Sequence, residues 1–256
     1  MDGPVTEPIP PADAPATERR DAALLGPLLA DRRLWRGPRV ADAARDAASG
    51  IPSGHPALDA ALPEGGFPAA ALTEVFVPSA GPPGRPSGLP PGKGEVALVL
   101  PALARLARGA RLIAMVGPPA IPYAPALAAA GLDLARVVVI EARTARDLAW
   151  ATEQALRDGS ASAVLAWLDQ TLLTTLRRLQ LAAEAGGCLG VLYRPWAARR
   201  SASPAALQLA LTPTVAGLRV ELLKCRGTSR RWRIELPLGD GFAARAALAP
   251  GPLPGR

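Results

Sequence analysis

The sequence predicts an α/β protein built on a mostly parallel sheet with a C-terminal antiparallel hairpin. Three observations carry this. Between residues 111 and 193, short apolar runs alternate with helical patterns. That order implies a parallel sheet covered on both faces. After residue 206 the style changes, and three strand-like runs follow one another with no helix between them. The last two flank Arg226-Gly227-Thr228-Ser229-Arg230, a natural hairpin connection.

Taken in order, residues 1–18 are rich in Pro, Ala and acid and read as a disordered tail. Residues 19–50 form a helical arm carrying Leu24, Leu25, Leu28, Leu34 and Trp35, weakened as one helix by Gly26-Pro27. Leu58, Ala61 and Leu62 suit a short helix before the turn Pro63–Pro68. Ala71–Val77 is a strand, polar at Thr73 and Glu74, and residues 78–94 are a Pro/Gly/Ser loop. Val96–Leu106 reads as helix, with Pro101 better suited to a first turn than to a middle. Leu112–Val116 is a strand closed by Gly117-Pro118-Pro119, and Ala124–Ala130 a small helix stopped by Gly131.

Val137–Glu141 is the strongest strand pattern in the chain. Ala145–Leu156 is a helix ended by Gly159, and Ala163–Leu168 a strand running into Asp169. Leu172–Ala185 is the longest amphipathic helix, with Leu172, Leu176, Leu179 and Ala183 on one side. Cys188–Tyr193, Leu207–Thr212, Leu218–Cys225 and Arg231–Leu236 complete the strands. The core domain thus spans residues 51–238, and residues 239–256 form a flexible tail.

Composition narrows the function classes. The net charge is +7, nearly all of the basic charge is arginine, and Lys93 and Lys224 are the only lysines. A basic chain suits an anionic partner, DNA included, although an arginine-for-lysine bias with abundant Ala, Pro and Gly is also a compositional habit. A single histidine, His55, excludes histidine triads and multi-histidine metal sites. His55 reads as a surface or capping residue of the turn Ser53–Pro56. Cys188 and Cys225 lie far apart in apolar contexts and read as buried thiols, with no CxxC pair for zinc. The N-terminus lacks a basic and apolar leader, and no 18-residue apolar run occurs. The expected location is the cytoplasm.

The segment Gly92-Lys93-Gly94-Glu95 decides whether nucleotide chemistry is expected. A P-loop ends in Gly-Lys followed by Ser or Thr, whose hydroxyl binds magnesium. Here Gly94 stands in that place and Glu95 adds negative charge beside it. Asp169, at a strand end, could hold magnesium through water or cap the helix near Leu172. No carboxylate follows the strand Leu112–Val116 to activate water. No catalytic residue, metal or cofactor is therefore expected, and Gly92, Lys93 and Asp169 read as remnants of a nucleotide site.

Ile51-Pro52-Ser53-Gly54-His55-Pro56-Ala57-Leu58-Asp59, Gly65-Gly66-Phe67-Pro68 and Thr73-Glu74-Val75-Phe76 resemble the approach to the first core strand in the RecA recombinase family. With Leu34-Trp35-Arg36, the missing Walker loop and the short hairpin, the chain resembles the ImuA family of bacterial damage-inducible mutagenesis cassettes. The resemblance implies a RecA-like three-layer sandwich. It also implies a non-catalytic accessory role in translesion DNA synthesis. The implied partners are an ImuB-like polymerase-family hub, an error-prone C-family DNA polymerase and the RecA recombinase, with self-association a further option. SulA, a cell-division inhibitor, shares this general ancestry.

Two surfaces stand out. Tyr193, Arg194, Trp196, Arg199 and Arg200 follow a strand end, where α/β proteins commonly bind ligands. Lys224, Arg226, Arg230, Arg231, Trp232 and Arg233 form the densest basic-aromatic cluster. Both suit an acidic partner or DNA phosphates. Trp232 fits equally a half-buried place in the sheet, and the arm Leu24–Trp35 suits docking. Three alternatives accompany the adaptor reading: an ATP-dependent recombinase accessory, a direct DNA binder, and a SulA-like inhibitor that binds a tubulin-like GTPase. The long arm and the RecA-like lead-in argue against the inhibitor.

Overall fold

A computed structural model describes residues 50–78, 94–169, 171–214 and 217–237. These all fall in one unit, Ala47–Arg256, and residues 1–46 lie outside the described residues. So do the arm residues Leu24, Leu25, Leu28, Leu34 and Trp35, the loop residues Gly92 and Lys93, and the tail 239–256.

Helix α1 (Pro56–Ala61) precedes strand β1 (Leu72–Val77). A 3₁₀ turn, Glu95–Leu98, then leads into α2 (Leu100–Leu106). Next come β2 (Leu112–Val116), α3 (Ala124–Ala129), β3 (Val137–Ile140), α4 (Ala145–Arg157) and β4 (Ala161–Trp167). Helix α5 (Leu173–Gly186) and strands β5 (Leu189–Pro195), β6 (Leu207–Thr214), β7 (Gly217–Cys225) and β8 (Arg233–Pro237) follow. One eight-stranded sheet results, in the order β3-β2-β4-β5-β1-β6-β7-β8. Every pair from β3 to β6 is parallel, and β7 and β8 add antiparallel at one side.

Strand residues alternate between two cores, as a two-residue period requires. Ile113, Met115, Leu165, Val191 and Val75 face a core shared with Leu58 of α1, Leu103 of α2 and Leu127 of α3. Val116, Val164, Leu192 and Leu72 face the other, with Leu148 and Leu156 of α4 and Leu176 and Leu179 of α5. Thr144 caps α4, its hydroxyl accepting from the Asp147 amide at 3.1 Å. Arg178 of α5 and Arg157 both pair with the buried Glu153 on α4. Gly186 is fixed by closeness, since a Cβ there would lie 1.9 Å from the Leu156 carbonyl oxygen. Arg111 donates to the Gly186 and Gly187 carbonyls, which ends α5.

Three local expectations change. The helix expected over 96–106 is split, because Pro101 lies in the first turn of α2 and cannot sit deeper. Strand β3, the strongest apolar pattern, lies at the sheet edge with Val138 and Val139 exposed. Thr73 and Glu74 are fully buried rather than marking a polar strand start. Of the thiols, Cys188 is buried and Cys225 half-buried.

Candidate functional site

Tyr193 and Arg194, expected on a partner surface, are both buried. They are adjacent on β5 and so point to opposite faces of a central strand. Tyr193 stacks on Trp167 with centroids 4.8 Å apart, and its hydroxyl donates to the Glu95 carbonyl at 3.3 Å. Burial, and after it the Glu95 charge, pushes the Tyr193 phenol well above its usual value. On the other face Arg194 donates to Glu74 Oε1, and Gln208 Nε2 donates to Glu74 Oε2 at 2.7 Å. The Arg194 guanidinium also lies 6.0 Å from the Phe76 ring centroid. These side chains tie β5, β1 and β6 together inside the sheet and do not present a surface.

Of the expected nucleotide remnants, Asp169 lies among the described residues, and Gly92 and Lys93 do not. Gly94, with φ of 86°, opens the 3₁₀ turn, and Glu95 beside it is buried. Asp169 does not cap the next helix: α5 starts after Leu172, without a side-chain cap. The position after β2 is Gly117, where a Cβ would lie 2.2 Å from Leu148 Cδ1, so no side chain fits as a base. No group of three His, Cys, Asp or Glu among the described residues could hold a metal.

The two basic surfaces separate. Trp196–Arg200 follows the carboxyl end of β5 as a 3₁₀ turn. Arg199 stacks over the Trp196 ring at 4.4 Å, and its Nη1 donates to the Trp196 carbonyl at 3.0 Å. These residues line an open pocket of about 590 Å³ with Pro78, Ala197, Arg200 and Thr212. The β7–β8 connection lies at the opposite end, since Cys225 pairs with Leu207 at the start of β6. There Lys224 donates to the Ser203 carbonyl at 2.9 Å, Arg233 pairs with Glu221 at 3.5 Å, and Arg226, Arg230 and Arg231 are exposed. Trp232 is half-buried and donates to the Ala61 carbonyl at 3.2 Å. His55 holds the N-cap position of α1 without a capping bond from its side chain.

Sequence reasoning missed three residues at the carboxyl ends of the parallel strands. Ile121 and Tyr123 follow β2, and Leu172 follows β4, at 62%, 66% and 75% exposure. Large apolar side chains held this far into water mark contact surfaces when they gather. The available signal was an apolar residue inside a connection, as in Ile121-Pro122-Tyr123.

Residues 93–190 match the family model of the cell division inhibitor SulA. A curated relative, the cell division inhibitor SulA of Edwardsiella piscicida, is 38% identical over 69 residues. That alignment covers 27% of this chain, which spans about two-fifths (41%) of the relative's length. The crystal structure of SulA from Pseudomonas aeruginosa aligns at 23% identity over 48% of this chain and 97% of its own, with a TM-score of 0.37.

The family match overturns the expected resemblance to ImuA and with it the translesion-synthesis role. The ImuB-like hub, the C-family polymerase and the RecA recombinase fall as partners for the same reason. The expected RecA-like P-loop sandwich is likewise corrected: the segment that would hold the loop's helix and the strands after it follows the SulA model. Glu95–Leu98 is a 3₁₀ turn where a P-loop would open a long helix. The matched family model and the curated relative are both described as cell division inhibitors, which agrees with the expectation of no catalytic role.

Proposed function

We propose that this chain is a SulA-like inhibitor of cell division that acts by protein contact, without catalysis. The observation that supports it is the position of Ile121, Tyr123 and Leu172. All three are strongly exposed, all follow carboxyl ends of neighbouring strands β2 and β4, and all lie inside the matched segment 93–190. A tyrosine such as Tyr123 is a common interface anchor, and exposed apolar side chains such as Ile121 and Leu172 mark contact surfaces. The partner on this reading is the tubulin-like GTPase of division, met in the cytoplasm.

The test is a polymer-sedimentation and GTP-hydrolysis assay of that GTPase with the full chain added. The intact chain lowers both readings in a dose-dependent way. Ile121→Asp with Leu172→Asp removes the effect while the circular dichroism spectrum is kept. A wild-type chain that leaves polymerisation untouched overturns the reading.

A further inference from the structure

Beyond residue 190, where the SulA match stops, β5 runs on to Pro195 and delivers Trp196, Arg199 and Arg200 to the carboxyl edge. We propose that the pocket formed there binds an acidic peptide segment carrying one aromatic or bulky apolar side chain. The residues named for the division contact are others, and this inference goes beyond that reading.

The pocket has two chemical halves. Pro78, Ala197, Thr212 and the Trp196 ring supply an apolar surface, in a volume of about 590 Å³. That size falls within the range of small-ligand pockets and leaves room for one bulky side chain. The second half is charge. An arginine side chain stays protonated at any physiological pH, and no acidic side chain lines the pocket among the described residues. A ligand must bring the negative charge itself.

The site is partly set before binding. Arg199 is held on Trp196 by the 4.4 Å stacking contact and by its bond to the Trp196 carbonyl. One of its five N–H groups is used in that bond, so the guanidinium keeps donors for a carboxylate. Arg200 is exposed next to it. An ordered guanidinium loses less freedom on binding, which favours affinity.

A nucleic-acid strand fits less well. Single strands need a basic groove that tracks many phosphates, with several stacking aromatics. Here one ring, already faced by Arg199, serves the pocket. The other basic cluster, Arg226–Arg231, sits at the opposite end of the sheet.

Fluorescence anisotropy with a labelled Asp-Asp-Phe-Asp-Asp peptide and the full chain tests the proposal. Saturable binding is expected, weakened tenfold or more by Arg200→Glu and by Trp196→Leu. Arg177→Glu makes the same charge change on α5, at a residue that does not line the pocket, and is expected to leave affinity within twofold. The Lys-for-Asp peptide is expected not to bind. No saturable binding overturns the proposal. So does equal weakening by Arg177→Glu, which would mean attraction to net charge alone. A thymidine oligomer that displaces the peptide at lower concentration overturns it in favour of nucleic acid. Variants are compared only after matching far-ultraviolet spectra; if Arg200→Glu unfolds the chain, Arg200→Gln takes its place, with a threefold or greater loss expected.

Discussion

Arg194 Nη1 donates to Glu74 Oε1 at 2.6 Å across the β5–β1 pair, with the two side chains 2% and 0% exposed. Removing one partner leaves a buried charge without its counterpart. Glu74→Ala or Arg194→Ala is therefore expected to cost about 3–5 kcal/mol. The paired apolar change Glu74→Leu with Arg194→Met restores most of that loss. Urea unfolding followed by circular dichroism measures all three. Single-variant losses below about 1 kcal/mol would show that the pair is not desolvated as described.

Gly186 is where α5 passes the end of α4. Gly186→Ala puts a Cβ against the Leu156 carbonyl oxygen, which is backbone and cannot swing aside. A cost of about 1–3 kcal/mol is expected, by overpacking. Gly187→Ala has open space around its Cβ but sits at φ of 56°, so its smaller loss is strain alone. Thermal melts of the two variants separate closeness from conformation.

Alkali destabilises the fold through its buried acids. Burial pushes the Cys188 thiol up from 9.0 to about 11, against a smaller opposite pull from Arg111. The folded state therefore favours the neutral thiol, while the unfolded chain ionises earlier. Stability from this group is complete below pH 9.0 and is lost as pH rises through about 11. The loss is roughly 1.4 kcal/mol per pH unit in that window. Cys225 and Tyr193 are also raised, mainly by burial, and add losses of the same sign. Cys188→Ala should lessen the slope of stability against pH without abolishing it. In the same window, an alkylating reagent should label the half-buried Cys225 before Cys188.

Surface and core effects should part cleanly at the carboxyl edge. Ile121→Asp and Leu172→Asp replace exposed side chains, so each is expected to shift stability by less than about 0.5 kcal/mol. Both are expected to weaken the division contact tenfold or more, read by polymer sedimentation. Loss of inhibition accompanied by a matching drop in melting temperature would assign the effect to folding.

The run of strands and helices from Leu112 to Tyr193 is legible because apolar residues there recur with clear periods. Pro101 announces its own place in a first turn, and Arg226–Arg230 its connection. What the sequence hides is lateral order. Val137–Glu141 reads as the strongest strand, yet its place at the edge depends on which strands pair, not on its own residues. Tyr193 and Arg194 read as interface anchors because the group that answers Arg194 lies 120 residues away, at Glu74. The two basic clusters look like one property of the chain until the antiparallel return of β7 sends one to each end. The family was misread for a related reason. The lead-in motifs around Ile51–Asp59 record how a chain enters a first central strand, whereas the SulA match begins only at residue 93. Within that match Ile121 and Tyr123 lie in a connection, and Leu172 reads as part of an apolar helix face, whereas the helix starts one residue later and leaves Leu172 exposed.

The place of β1 in the sheet has a consequence for how the chain is made. Its neighbours, β5 and β6, begin at Leu189 and Leu207, more than a hundred residues downstream. As synthesis proceeds from the N-terminus, β1 emerges before either neighbour exists. The later strands β2, β3 and β4 can pair among themselves at once, through the crossovers that carry α3 and α4. A ribosome stalled before β5 would thus expose a half-sheet and an unpaired Glu74 carboxylate together. Completion of the chain past Gln208 brings the last two groups that make that carboxylate tolerable in the interior, so the sheet closes around Glu74 only once Arg194 and Gln208 have both emerged.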